Sequence, residues 1–336
     1  MHAFSRWMAL ATLLSGVAAH ADKNDLRLVN LGNPDAGERG ATSRATTDFQ
    51  AFARAMAASL MSANLMPPET LGHAGFNVNA ELSVVSLPGY SRDREDDSSI
   101  KGVFIPAESS QPLWSVQPDG SPPPEEDFSQ PGSAMLVPSL HVRKGLPFST
   151  ELGGRVAWIE KSRMIAATGE VKVALHEGGV IEGFFKYLPD LGVRGHITKL
   201  FGAQDLSLTA MGLDVGVGKR FPLGGMVTLT PYGGLDFSVV SAQSATLDFQ
   251  PDRTYDSTVD PKTALQNTSS YGRLHFHKNM LQRIYGGARF IGGVLQLGAE
   301  ISFTRLGNTP VTDDPQADTR ALPTIVTFNT SLGMDF

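Results

Sequence analysis

The chain has 336 residues, a formal charge of -6, 18% charged residues, 35 glycines and no cysteine. The acidic balance excludes a partner bound through nucleic-acid phosphates, which needs a basic face, and the missing cysteines exclude a disulfide-stapled fold. Charge sits below the usual ~25% and glycine above the usual ~7%, a composition that suits a curved sheet with many turns.

Residues 1–21, MHAFSRWMALATLLSGVAAHA, follow the three-part plan of a secretory signal peptide. Arg6 supplies the positive charge, the run from Trp7 to Ala18 is mostly apolar, and Ala19-His20-Ala21 is a small-x-small site. Cleavage is expected between Ala21 and Asp22. No later stretch reaches about 18 apolar residues, so no transmembrane helix is predicted.

Residues 22–46 are polar and predict a mobile leader. A helix is predicted next. Thr47-Asp48-Phe49-Gln50 matches a capping box, in which the hydroxyl and the amide satisfy the first free N–H groups. Phe49, Phe52, Met56 and Leu60 recur at helical spacing, and Pro67-Pro68 is a stop signal. Two readings stand: a small helix packed on a neighbour, or a plug or gate over residues 47–63.

From residue 75 the period changes to 2. Phe76, Val78, Ala80, Leu82 and Val84 alternate with Asn77, Asn79, Glu81 and Ser83. The pattern returns at 136–143, 165–176, 191–198, 211–218, 227–239, 295–304 and 327–336, with weaker candidates at 150–159 and 273–290. That predicts about ten strands of roughly 9–14 residues. Soluble strands run to about 5–6, whereas a membrane-spanning strand needs about 9–11. Three connections are short (144–148, 219–225, 291–293) and three are long (88–132, 242–270, 306–321). Short periplasmic turns and long outer loops are the plan of an outer-membrane barrel. If the first strand runs outward, the long gaps all fall outside.

Trp158, Phe201, Phe237 and Phe303 come near the outer strand ends, and Phe148, Phe221, Phe290 and Phe336 near the inner ends, as two interfacial belts require. Some features ask for irregularity. Pro138 and Pro231 lie inside strands and call for bulges. The sixth strand changes phase between Leu208 and Met211, which also asks for a bulge. Residues 178–190 are long and apolar for a short turn, so a count of 12 stays open.

The chain ends TFNTSLGMDF, alternating to its last residue. A closed barrel explains this, because its last strand must pair with its first. The ending Leu332-x-Met334-x-Phe336 resembles the C-terminal assembly signal of Gram-negative outer-membrane β-barrel proteins. The strand LTPYGGLDF, residues 229–237, is similar to strands common in that class. The resemblance covers residues 72–336 and singles out no transporter or enzyme family. It implies outer-membrane lipid as surroundings, the barrel-assembly machinery as a partner during biogenesis, and the outer membrane of a Gram-negative bacterium as location.

Signatures of catalysis are absent: no G-x-S-x-G, H-E-x-x-H or G-x-x-x-x-G-K-[ST] occurs. His275 and His277 share a strand face without a third ligand, so no metal is expected. No cofactor motif is present. The inward face should carry Asn77, Asn79, Glu81, His141, Arg143, Arg155, Glu170, Lys172, Arg194, His196, Asp214, Asp236, Gln296, Glu300, Asn329 and Asp335. Both charge signs occur there, able to pair across a narrow lumen or to line a watery one.

The expected fold is all-β: a transmembrane antiparallel β-barrel of about 10–12 strands with a short N-terminal helix. Its parts are a signal peptide (1–21), a leader and helix that is periplasmic or a plug (22–70), and the barrel (71–336). The first expected function is a narrow channel or transporter for small solutes. The alternative is a closed structural or surface-interaction barrel acting through its long extracellular loops. A hydrolase comes third, and a soluble periplasmic barrel or sandwich is the competing fold. A lumen filled by paired arginines and glutamates would favour the closed barrel.

Overall fold

A computed structural model gives the fold and describes residues 26, 28–31, 34, 44–61, 63–86, 134–160, 162–178, 188–224, 226–248, 268–276, 280–310 and 319–336. The signal peptide, Ala19 and Ala21 included, lies outside them, as do the acidic runs at 92–97 and 122–127, His277, and most of 178–190.

Ten long strands form one closed antiparallel barrel. They are β1 (Phe76–Ser86), β2 (Ala134–Leu146), β3 (Thr150–Trp158), β4 (Ile165–His176), β5 (Asp190–Phe201), β6 (Leu206–Gly218), β7 (Val227–Ser244), β8 (Met280–Gly292), β9 (Leu295–Arg305) and β10 (Ile325–Asp335). Each pairs with its neighbours in sequence. The seam is β1 on β10, running from Asn77 opposite Asp335 to Val85 opposite Thr327. Phe336 extends it: its N–H donates to the Phe76 carbonyl at 2.8 Å and its carbonyl accepts from the Phe76 N–H at 2.9 Å. The terminus alternates to the end because it has a partner to the end.

The barrel is inside-out for a water-soluble protein. Leu140, Leu213 and Leu332 are 48%, 54% and 54% exposed, while Asn77, His141 and Gln296 are fully buried. Strands of 11 residues rise about 36 Å, or about 28 Å of height at a ~40° tilt. That matches the ~25 Å apolar band of a transmembrane barrel. All the belt aromatics named above are exposed. Among the described residues no helix is long and apolar enough to cross a membrane; here strands carry the apolar surface.

The two mouths differ. At the turn end lie both the start of β1 and the C-terminus, with short links such as 147–149 and 293–294. The longest links, 87–133 and 245–279, lie at the loop end.

Several expectations change. The barrel closes at ten strands, β4 pairing directly with β5; residues 179–187 lie outside the described residues. The prolines need no bulge. Pro138 pairs in register with Leu82, and the ladder to β3 starts one residue later, at Ser139. Pro231 pairs with Ala288, and the ladder to β6 stops one residue away, at Tyr232. Each missing N–H falls where one ladder has already ended. Nor does β6 slip. Its even-numbered residues face inward throughout, from Leu206, Leu208 and Ala210 to Gly212, Asp214 and Gly216. What changes along β6 is the chemistry of the inner face. The weak candidate at 273–290 resolves into β8, which starts later and ends at Gly292.

Helix α1 (Arg44–Leu60) begins before the predicted capping box, so Thr47 lies inside the helix. Thr46 instead accepts a hydrogen bond from the Gly272 N–H at 3.4 Å, and Phe49 stacks on Tyr271 with centroids 5.1 Å apart. Tertiary contacts therefore hold the first turn. The helix also ends well before Pro67. The leader is not wholly polar either: a 3-10 turn, Leu28–Leu31, buries Leu28 and Leu31.

A candidate functional site inside the barrel

Two tiers divide the inner wall. Toward the loop end its inward residues are apolar: Val85, Met135, Val137, Ala157, Met164, Ala166, Leu200, Leu206, Leu208, Val240, Ala242, Leu281 and Ile325. This collar and α1 form one hydrophobic core. From 45 to 60 every helix side chain is buried except half-buried Thr47 and Gln50. A helix buried all round belongs in an interior, and here the interior is the upper lumen. Phe49, Phe52, Met56 and Leu60, the predicted plug face, are at most 4% exposed. Arg54 reaches the rim, donating to the carbonyls of Leu306 and Asn308 at 3.3 and 2.7 Å.

Below the collar the wall turns polar and charged. Residues 63–71 run through this tier without regular structure; we call them the strap. Arg143 donates to the Asn64 carbonyl at 2.6 Å, and Leu65 N–H donates to Glu300 at 2.8 Å. Lys172 donates to the carbonyls of Pro67 and Glu69 at 3.3 and 2.9 Å. Gln296 and Arg289 both point at the Met66 sulfur. Glu69 is clamped by Arg220 at 2.6 Å and by Arg289. At the turn end, Glu177 accepts from both the N–H and the hydroxyl of Thr70 at 2.7 Å, and from Ser149 at 2.9 Å. Burial pushes the Glu177 carboxyl up, but these hydrogen bonds outweigh it and hold it below the usual carboxylate range.

The wall charges also pair with one another. His141 bridges two carboxylates, with Nδ1 2.9 Å from Glu81 and Nε2 2.9 Å from Glu170. Glu81 also accepts from Arg155 at 3.0 Å. Glu170 accepts from Arg143 at 2.9 Å and from Arg194 at 2.8 Å. Arg194 continues to Asp214 at 3.2 Å, which accepts from Tyr285 at 2.7 Å. His196, Ser238 and Arg283 surround Asp236. Lys172 pairs with Glu151 at 3.2 Å. Period 2 makes this possible: register sets Glu170 opposite His196 and Lys172 opposite Arg194 on the same face of adjacent strands. A buried charge left without a partner costs several kcal/mol, so the network holds as a unit.

The remaining predicted lumen residues lie on the same face. Asn77 donates to Gln296 at 2.9 Å. Asn79 is buried opposite Gly333, and Asn329 is buried opposite Glu300. Asp335 is half-buried at the turn-end mouth. Leu332, Met334 and Phe336 point outward, 54%, 49% and 63% exposed.

Other members of the network went unpredicted. Glu151, Arg283, Tyr285 and Arg289 sit in the two weakly patterned stretches, where the alternation of Arg283, Tyr285 and Arg289 with Ile284, Ala288 and Phe290 was the available signal. Asn64, Glu69 and Thr70 had none, since the strap follows no period.

No protein-family model and no curated protein matches the chain. Solved structures do align with it. Outer membrane protease OmpT from Escherichia coli is 9% identical over 78% of this chain and 96% of its own, with a TM-score of 0.30. Outer membrane protein OprG from Pseudomonas aeruginosa is 9% identical over 80% and 99%, at 0.24. The translocator domain of autotransporter NalP from Neisseria meningitidis is 11% identical over 88% and 98%, at 0.30. Barrel closure in the present chain rests on its own strand register.

Proposed function

We propose that this protein is an outer-membrane barrel closed in its resting state, acting through its loop-end face as a surface-interaction or structural barrel. One observation carries the reading: the lumen is occupied by the chain's own residues 44–61 and 63–71, helix above and strap below. The apolar collar favours a resident helix, because its departure would leave a ring of buried apolar side chains facing water. The apolar outer band suits outer-membrane lipid, and the aromatic-ended seam suits recognition by the barrel-assembly machinery. The fully buried His–carboxylate groups favour a packing role over catalysis, and the reading needs neither cofactor nor nucleic acid.

Planar-bilayer recording on the inserted full-length protein tests this. Silence is expected, with heat-modifiable migration proving the barrel is folded. Regular conductance steps from the intact chain would overturn it.

A gated path for small solutes is the second reading. It is favoured by the way the wall holds the strap in part through hydrogen bonds to backbone carbonyls, which water can replace. In that case a variant lacking residues 22–70 conducts and the intact chain does not.

A further inference from the structure

We infer that the lumenal segment carries the chain once through the barrel, so that its upstream end, at Leu28, stands at the loop-end mouth on the cell-surface side. The turn-end anchor is Glu69, held by Arg220 and Arg289. The loop-end anchor is Leu28. Its N–H donates to Asp205 at 3.2 Å, and its carbonyl accepts from the Tyr271 hydroxyl at 2.7 Å. Asp205 lies in the link between β5 and β6, at the mouth opposite the C-terminus. Between these anchors the contacts climb the wall in sequence order. Arg143 holds Asn64, Arg155 reaches the Leu60 carbonyl at 3.4 Å, and Phe49 stacks on Tyr271. The described residues therefore run from one mouth to the other. The Leu28 end of the segment thus lies at the mouth opposite the C-terminus. Which face of the membrane it reaches rests on the outer-membrane orientation proposed above; the threading itself does not.

The chain has no cysteine, so single-cysteine variants of the full-length protein report cleanly. Asp25→Cys is compared with Gln204→Cys at the loop end and Phe148→Cys at the turn end. A membrane-impermeant maleimide is applied to intact and to permeabilised cells, and each variant is checked for heat-modifiable folding. The expected result is that Asp25→Cys labels together with Gln204→Cys on intact cells, several-fold above Phe148→Cys. If Asp25→Cys instead follows Phe148→Cys, the threading is overturned. If Phe148→Cys labels on intact cells and Gln204→Cys does not, the orientation fails and surface exposure with it, while Asp25→Cys still reports the threading by the control it follows.

Discussion

Gly192 on β5 stands where any side chain would strike Pro68 of the strap: a Cβ there would lie 2.7 Å from the Pro68 carbonyl oxygen and 3.0 Å from its Cβ. Gly218 on β6 faces the other side of the same proline, with a Cβ position 2.8 Å from Pro68 Cδ. The wall is thinned where the strap crosses it. Glycine here serves close backbone approach.

Gly192→Leu should therefore displace the strap rather than unfold the barrel. Overpacking of this kind costs about 1–3 kcal/mol, and the cheapest relief is for residues 66–70 to leave the wall. The expected outcome is a heat-modifiable barrel whose strap is cut several-fold faster by added protease than in the parent chain. Equal protection in both would argue that the strap has room to spare.

Glu170 meets three basic side chains, His141, Arg143 and Arg194. Glu170→Gln leaves two buried guanidiniums short of a counter-charge and should cost about 3–5 kcal/mol. In a double-mutant cycle, Glu170→Gln with Arg194→Met should cost less than the two changes summed. Urea unfolding in lipid vesicles reads both quantities, and strict additivity would mean the pair is not coupled.

Phe52, 1% exposed, fills the collar. Phe52→Ala should destabilise the α1 docking by about 3–5 kcal/mol, the usual cost of an aromatic deletion in a core. Faster hydrogen exchange along 44–60, with strand amides unchanged, is the expected signature. Loss of strand protection as well would mean that helix and barrel unfold together.

The Glu177 latch should open in acid. Its folded carboxyl lies below its ordinary value, so its contribution is present at neutral pH and is lost as pH falls below the ordinary carboxylate range and through the folded pKa. Hydrogen exchange at the Thr70 amide, corrected for its intrinsic rate, should rise across that window in the parent chain. Glu177→Gln should flatten the response. A flat profile in the parent would remove the latch.

At the seam, a chain ending at Asp335 loses both hydrogen bonds between Phe76 and Phe336. Each is worth about 1 kcal/mol net, so only a modest drop in stability is expected. A much larger fall in the folded fraction made by cells than in refolding from urea would locate the role of Phe336 in assembly.

Local alternation determined which residues of the clearly patterned strands face lipid and which face inward, from Asn77 to Asn329, but not those of β8. It also determined that the terminus must be paired, because period 2 fixes a side chain's face regardless of what lies opposite. It could not say what the inner face would meet. Along β6 the sequence from Leu208 to Met211 looks like a slipped register, yet the strand is regular; Leu206 and Leu208 point inward because a helix lies there. The course of the strap, the pairing of Glu69 with Arg289 and the start of α1 at Arg44 were decided only by the tertiary structure. Those contacts join residues far apart in sequence, and no local periodicity records which segment will fill a lumen that nine strand-to-strand steps and one seam have yet to enclose.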